Sequence, residues 1–408
     1  MTDPDTKHMQ MAFKLAGRGL DSVEPNPAVG CVITKANQII GKGWHKKFGG
    51  PHAEINALED CKSLGVSPKG ATMYVTLEPC SHFGKTKPCA EAVIAAGLGR
   101  VVVATVDPSE HSNGRGIDQL RAAGITVETG LCQTEARLLN APFIKFAATR
   151  QPWVTLKWAQ SLDGKLAWAP ATLQSSPRST RSGEANRWIS NKESRKDVQR
   201  LRRRAGAILV GVNTALADDP FLVPRPPKGK KPLRVVLDSY LRTRLTSRLL
   251  RTTKTAPVMI FTRQDTIMEK SDIADRIIKK GAELVGYPDT HGLSNLHYLL
   301  DDLRDRGIGA VLVEGGPTVI ASFLKERLAD EVCIYFAPKI LAQKGQVDLA
   351  GPIAQLSQAT GLHYVKAMQF GDDVCISGLT DEGLRCISVG EGAEQGVLVQ
   401  TELDISRI

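Results

Sequence analysis

At 408 residues the chain exceeds what one ordinary hydrophobic core holds, so two domains are expected, each burying its own interior. Composition is that of a globular protein, 42% hydrophobic and 24% charged; no apolar run approaches the ~18 residues of a membrane span, the acidic start MTDPDTKHMQ does not read as a secretory leader, and a cytoplasmic protein is expected. The net charge of +10 suits an anionic small ligand as well as a polymer, but aromatics are only 5% and the basic runs RLRRR and KGKK contain none, which disfavours a stacking surface for nucleic acid.

In chain order, Met9 to Leu20 reads as a helix, Ala28 to Thr34 as a strand and AEINALEDCKSLG as a helix ending near Gly65. A strand TMYVTL, a loop holding two cysteines, a helix CAEAVIAAG, a strand RVVVATV, a helix IDQLRAAG and a strand TVETG follow, and this alternation predicts a layered α/β domain over residues 1–148. After the polar stretch Thr149 to Pro152 the alternation restarts. Strands WVTLKW, AILVG, LRVVLDS, APVMIFT, AVLVEGG and EVCIYFA, with helices near Ser194 to Ala205, Ser271 to Lys280 and Leu293 to Arg306, predict a second α/β domain over residues 152–380. Its short apolar strands suit burial on both faces. The segment Ala169 to Asn186, rich in Ser, Pro, Thr and Arg, reads as a long mobile loop, and residues 381–408 form a weakly patterned extension of unassigned role.

Six of the eight cysteines, Cys31, Cys61, Cys132, Cys333, Cys375 and Cys386, stand singly among apolar residues and read as small buried hydrophobes. Cys80 and Cys89 differ, because each follows a proline in the polar stretch TLEPCSHFGKTKPCAEA. With His52 of PHAE they make a set of three zinc ligands, and Glu54 is a carboxylate left over. Three protein ligands leave one metal position for water, and the chemistry that needs such a set is hydrolytic deamination: an activated water attacks an amidine-like ring carbon while the free Glu carries protons. Both cysteines precede helical pattern, so helix N-termini would help to hold them as thiolates. The spacing P-C-x8-C departs from the P-C-x-x-C of many deaminases. A disulfide is disfavoured by the expected reducing compartment, and a closed structural zinc site needs a fourth ligand, for which His82 is available.

In the second half, AVLVEGGPTVIASFLKERL is a strand, a Gly-Gly-Pro turn and a helix, whose bare backbone and free helix N-terminus suit a cofactor's phosphates. LVGVNTALADDPFLVPR leads a strand into a polar loop with paired acids Asp218 and Asp219, a pattern that a capped surface turn would also produce.

PNPAVGCVI, GWHKKFGGPHAE and TLEPCSHFGKTKPC resemble the deaminase half of the bifunctional riboflavin-biosynthesis deaminase/reductase family, within the cytidine-deaminase-like superfamily. In that family the longer loop between the cysteines is normal and carries substrate contacts. The resemblance implies zinc, one ion per deaminase domain, on His52, Cys80 and Cys89, with Glu54 as catalytic proton shuttle. It implies contacts to a phosphorylated pyrimidine from Asn26, His45, His82 and Lys85. LKWAQSLDGKLA, RWIS, LADDPFLVPR, VVLDS and VEGGPT, in that order, resemble the family's reductase domain, with a fold like dihydrofolate reductase and NADPH as cofactor. NADPH contacts are implied at Ala159, Trp188, Thr214, Asp218, Ser239 and the run from Gly316, and substrate contacts at Lys157, Asn186, Arg202, Leu222, Arg225 and Glu314. Arg202 and Arg225 are expected to meet the ribose phosphate, and Lys157 is a candidate proton donor.

The expectation is thus a three-layer α/β/α deaminase domain followed by a reductase-like α/β domain. The small-molecule partner would be a phosphorylated pyrimidine, with no nucleic acid and no membrane, in a homo-oligomer. Two rivals remain at this stage: an active deaminase carrying a silent reductase-like domain, and an RNA-acting zinc deaminase.

Overall fold

Pro4 opens the first helix, α1 (Pro4–Gly17), at a position where its missing N–H costs no hydrogen bond. The helix buries Met9, Ala12, Phe13, Leu15 and Ala16 along one stripe. The computed structural model to which it belongs describes residues 3–82, 88–168, 188–226, 230–288, 295–341, 345–346 and 359–388. Two units emerge, Gln151–Arg385 forming the second, and Met1–Arg150 with the described residues from Cys386 on forming the first.

In the first unit the chain continues through β1 (Gly30–Lys35), β2 (Gln38–Trp44), α2 (Ala53–Ser63), β3 (Thr72–Val75), α3 (Cys89–Ala95), β4 (Arg100–Val103), α4 (Arg115–Ala122), β5 (Thr126–Thr129), α5 (Gln133–Leu139) and α6 (Ala141–Thr149). The sheet order is β2-β1-β3-β4-β5, with β3, β4 and β5 parallel and β1 antiparallel to both its neighbours. The strand period of two explains the layers. Cys31, Ile33, Met73, Val75, Val101 and Val103 pack on one face with Ala53 and Ala57 of α2, Val93 of α3 and Leu120 of α4. Val32, Tyr74 and Val102 face the other way, against α1 and Ala136 of α5. Helices therefore cover both faces of one sheet, the three layers expected from the sequence.

The second unit runs β6 (Trp153–Ser161), β7 (Ala167–Trp168), α7 (Lys192–Arg204), β8 (Ala207–Gly211), α8 (Val212–Asp218), β9 (Leu233–Leu237), α9 (Arg248–Arg251), β10 (Val258–Arg263), α10 (Gln264–Glu269), α11 (Ser271–Lys279) and β11 (Glu283–Tyr287). It goes on through α12 (Asn295–Asp305), β12 (Ala310–Val313), α13 (Pro317–Lys325), β13 (Glu331–Ala337), β14 (Gly345–Gln346), β15 (His363–Phe370) and β16 (Asp373–Leu379), and ends within α14 (Asp381–Ser388), whose residues from Cys386 on count with the first unit. Its nine-stranded sheet has the order β11-β10-β9-β8-β12-β6-β13-β16-β15, parallel up to β13 and antiparallel from there on. β8 is buried at every residue, as expected for a strand covered on both faces, whereas β15 is an edge strand with much of its length exposed.

Several elements escaped the sequence reading, each for a physical reason. β2 pairs with β1 through a turn in which Ala36 and Asn37 take positive φ, and its lysine and glycines hide the alternation. β15 and β16 form a hairpin with Gly371 at positive φ, built from residues only half of which face the core. α14 forms where no structure was expected, beginning at Asp381. The loop expected at 169–186 and most of the extension, residues 389–408, lie outside the described residues. Among the described residues no helix is long and apolar enough to cross a membrane.

Candidate active sites

His52 is the N-cap of α2, with extended backbone (φ −73°, ψ 170°), and Glu54 is already inside the helix. That change of backbone conformation between the two lets side chains that would diverge on a regular helix enter one cleft. Asn56 fixes the turn, its amide donating to the carbonyls of Trp44 (2.9 Å), Pro51 (3.1 Å) and His52 (3.1 Å). The helix lies directly on β2, because Gly43 has no side chain to collide with the carbonyl oxygen of Ala53.

Cys80 and Cys89 converge on the same point. The Nδ1 of His52 lies 3.6 Å from the Cys80 sulfur and 3.3 Å from the Cys89 sulfur, and the three donor atoms fall within 4.8 Å of one another. The helix expectation for the cysteines needs one correction. Cys89 does begin α3, but no described helix begins just after Cys80. Instead the N–H of Cys89 donates to the Cys80 sulfur at 3.3 Å, so the start of α3 supports both thiols.

The charges agree with this grouping. Hydrogen bonds from Cys89 and His52 pull Cys80 far below the usual thiol range, and sharing that bond, together with burial, pushes Cys89 up. The hydrogen bond to Cys80 raises His52. Glu54 is 3% exposed, and burial lifts its carboxyl to about 7. Two sulfurs and one imidazole nitrogen at this separation fit zinc by donor type. A structural site closed by His82 is not what the described residues form, since the cluster contains His52, Cys80 and Cys89 alone.

Of the other residues named for this unit, His45 is buried beside His52, with ring centroids 5.4 Å apart. Its Nδ1 lies 3.4 Å from the carbonyl of Pro27, its Nε2 finds no hydrogen-bond partner among the described residues, and burial lowers its pKa. Asn26 sits in the turn just before Pro27. His82 is exposed and pairs with the ring of His111 at 5.6 Å, a neighbour that sequence reading missed. Lys85 lies outside the described residues.

In the second unit several of the named residues follow the carboxyl ends of central strands: Thr214 after β8, Ser239 after β9, and Glu314 and Gly316 after β12. Arg202 of α7 closes on Glu314, just after β12, with Nε to Oε1 at 2.5 Å and a second bond at 2.9 Å. Expected to meet a phosphate, Arg202 thus spends two donors on a carboxylate 112 residues away. Lys157 of β6 joins them electrostatically: burial lowers its pKa, and the Glu314 charge opposes that shift. The Lys157 ammonium also stands 5.5 Å over the ring of Tyr335, whose hydroxyl donates to Asp197 at 2.7 Å. Neither Tyr335 nor Asp197 carried any sequence signal.

Gly316 is the N-cap of α13, and a Cβ there would come 3.0 Å from the hydroxyl of Thr214 on α8. Bare backbone, a hydroxyl and a helix N-terminus fit a phosphate-bearing cofactor such as NADPH. Asp218 ends α8, whereas its neighbour Asp219 accepts from the N–H of Arg248 at 2.6 Å and so ties the turn to α9. Leu222 is buried, and Arg225 receives the side chain of Gln199 on its N–H (3.1 Å) with its guanidinium 5.6 Å over Phe221. Ala159 is on β6, Trp188 is exposed beneath Arg195, and Ser239 bonds the hydroxyl of Tyr287 at 2.8 Å. Asn186 lies outside the described residues.

Comparison with known proteins bears on both units. Residues 152–376 match the family described as RibD C-terminal domain, and residues 2–105 match the cytidine and deoxycytidylate deaminase zinc-binding region. The riboflavin biosynthesis protein RibD of Aquifex aeolicus is 40% identical over 376 residues, 91% of this chain and 97% of the relative. That of Escherichia coli is 37% identical over 389 residues, 91% of this chain and 98% of the relative. Among solved structures, Acinetobacter baumannii RibD superposes with TM-score 0.76 at 36% identity, covering 92% of this chain and 99% of that one. A deaminase/reductase from Thermotoga maritima gives TM-score 0.74 at 33% identity, with the same coverage.

Proposed function

The chain belongs to the RibD family of bifunctional deaminase/reductases of riboflavin biosynthesis, pairing a zinc-binding deaminase with an NADPH-using reductase, and on that premise we propose which of its residues carry each reaction. The observation that carries the proposal is the convergence of His52, Cys80 and Cys89 within 4.8 Å, with the buried carboxyl of Glu54 beside them and not among them.

In the deaminase, residues 1–148, His52, Cys80 and Cys89 would hold the zinc. When bound, zinc brings the pKa of water towards neutrality and so supplies a nucleophile. Glu54 would act as the proton shuttle, accepting a proton at its carboxylate and passing protons to the ring nitrogen and the departing ammonia of 2,5-diamino-6-(5-phosphoribosylamino)pyrimidin-4(3H)-one. A carboxyl lifted to about 7 by burial is poised to accept and release a proton near neutral pH. The free Nε2 of His45 and the side chains of Asn26, His82 and Lys85 orient the pyrimidine and its phosphorylated sugar.

In the reductase, residues 152–380, bound NADPH would supply the hydride needed to reduce the ribosyl side chain to ribityl. Thr214 and the backbone from Gly316 hold its phosphates, with further contacts at Ala159, Trp188, Asp218 and Ser239. Most of the protein's contribution is placement, since hydride transfer needs little covalent help. Arg225, with Asn186 and Leu222, receives the substrate and its phosphate. Lys157 is the proton donor: its burial makes the ammonium more acidic, and Glu314, clamped by Arg202, keeps it charged. The net charge of +10 would serve an anionic substrate and an anionic cofactor, and the proposal is of a small-molecule enzyme of the cytoplasm, without nucleic acid or membrane. A homo-oligomer completes the proposal.

The test is anaerobic incubation with the diaminopyrimidine nucleotide, following ammonia and NADPH separately. Ammonia release followed by NADPH consumption is the expected result. Ammonia without NADPH consumption would reduce the second unit to a silent domain, and neither would overturn the proposal.

A further inference from the structure

Two residues before Cys80, the carboxylate of Glu78 is buried at 4% exposure and bonded entirely to backbone far away in sequence. Its Oε2 accepts the N–H of Asp107 (3.1 Å) and of Gly114 (3.0 Å), and its Oε1 accepts the N–H of Gly116 (2.8 Å). Gly114 is the N-cap of α4 and Gly116 lies in its first turn, so the carboxylate sits on that helix's free amides. The junction is tight from the other side as well: a Cβ on Gly116 would collide with the carbonyl oxygen of Pro79. Glu78 also receives the chain through its own N–H, which donates to Thr105 at 3.0 Å. The segment it grips, 107–116, includes His111, whose ring faces His82 and whose carbonyl lies 3.4 Å from the Ser81 hydroxyl.

We propose that Glu78 is a positioning residue of the deaminase metal centre: by pinning Pro79 to the start of α4 it fixes the direction of Cys80 and the placing of the His82 and His111 pair. The proposal rests on the reading that His52, Cys80 and Cys89 hold zinc. A carboxylate accepting three amide N–H groups is a strong, directional anchor, and no neutral side chain reproduces it. Glutamine at this position keeps the shape but offers a single acceptor oxygen and turns an NH2 towards amide donors. Outer groups that orient metal ligands characteristically influence metal affinity about 10–100-fold.

The experiment compares the full-length wild type with Glu78→Gln, each stripped of metal and titrated with zinc against a competing chelator and with cobalt(II) for its visible spectrum. Wild type binding zinc is the control for the underlying reading; failure there overturns that reading and not only this inference. The variant is expected to bind zinc about 10–100-fold more weakly, with displaced cobalt–thiolate bands. The melting temperature difference between zinc-loaded and stripped protein is expected to shrink. Equal lowering of both melting temperatures, with wild-type zinc affinity and cobalt spectrum, would overturn the proposal by reducing Glu78 to a fold anchor. Should Glu78→Gln not fold, Gly116→Ala strains the same junction from the α4 side and must shift the cobalt bands; an unshifted spectrum in that folded variant would equally overturn it.

Discussion

The two sites of this chain are built in opposite ways. The deaminase cluster draws its donors from two short motifs, PHAE at residues 51–54 and P-C-x8-C at residues 79–89, and one helix start serves both sulfurs. The reductase cluster draws Lys157, Arg202, Glu314 and Tyr335 from four separated elements, tied by a fork across 112 residues. A metal accepts few donor types, so its ligands announce themselves in sequence; placement of a cofactor uses ordinary charges and bare backbone, which any fold contains.

If that contrast is sound, disturbing one site leaves the other working. Glu54→Gln is expected to retain zinc and lose deamination by about 100- to 10,000-fold, while NADPH consumption on deaminated substrate stays at the wild-type rate. Zinc content and the two rates measured on one preparation decide this, and loss of zinc would make Glu54 a ligand.

Glu314→Gln leaves Arg202 and Lys157 as buried cations without their carboxylate. Because the Arg202 and Glu314 side chains are only 17% and 9% exposed, a loss of about 3 kcal/mol in the second unit is expected. Calorimetry should show that unit's transition falling and reductase activity with it, and an unchanged transition would separate Glu314 from the fold.

A smaller effect is expected from Arg225→Ala, which removes a charged partner of the substrate phosphate worth about 2 kcal/mol. The KM of the second reaction should rise about 30-fold with the first untouched; an equal fall in both rates would point to shared substrate binding.

Smallest is Asp5→Asn, in the first helix. Hydrogen bonds from Arg100 (2.5 and 3.2 Å) hold the Asp5 carboxyl below the usual carboxylate range. A carboxyl depressed in the folded state stabilises above its unfolded pKa, and that contribution disappears as pH falls through the folded value. Being partly exposed, the pair contributes less than about 1 kcal/mol. Urea midpoints of the two proteins should therefore differ slightly at neutral pH and coincide in strong acid.

Legibility followed the same division. The α/β alternation, the two clustered cysteines and the Gly-Gly-Pro turn stood out because periodicity, reactive side chains and special backbone are local properties. The β1–β2 and β15–β16 hairpins did not, since their strands are half exposed and blur the period of two. Glu78 was passed over because an acid at a strand end is ordinary; its partners are the amides of residues 107, 114 and 116, which every residue but proline possesses.

By itself the sequence singled out the residues that converge in the first unit, His52, Cys80 and Cys89, and the layers of its fold, because metal-ligating side chains stand out by chemistry and strands expose their period residue by residue. Tertiary structure alone decided that Glu54 is sealed from water, that α3 rather than a helix after Cys80 supports both thiols, and that Arg202 turns to Glu314. Burial and charge pairing depend on what the rest of the chain brings alongside, and no local pattern encodes that.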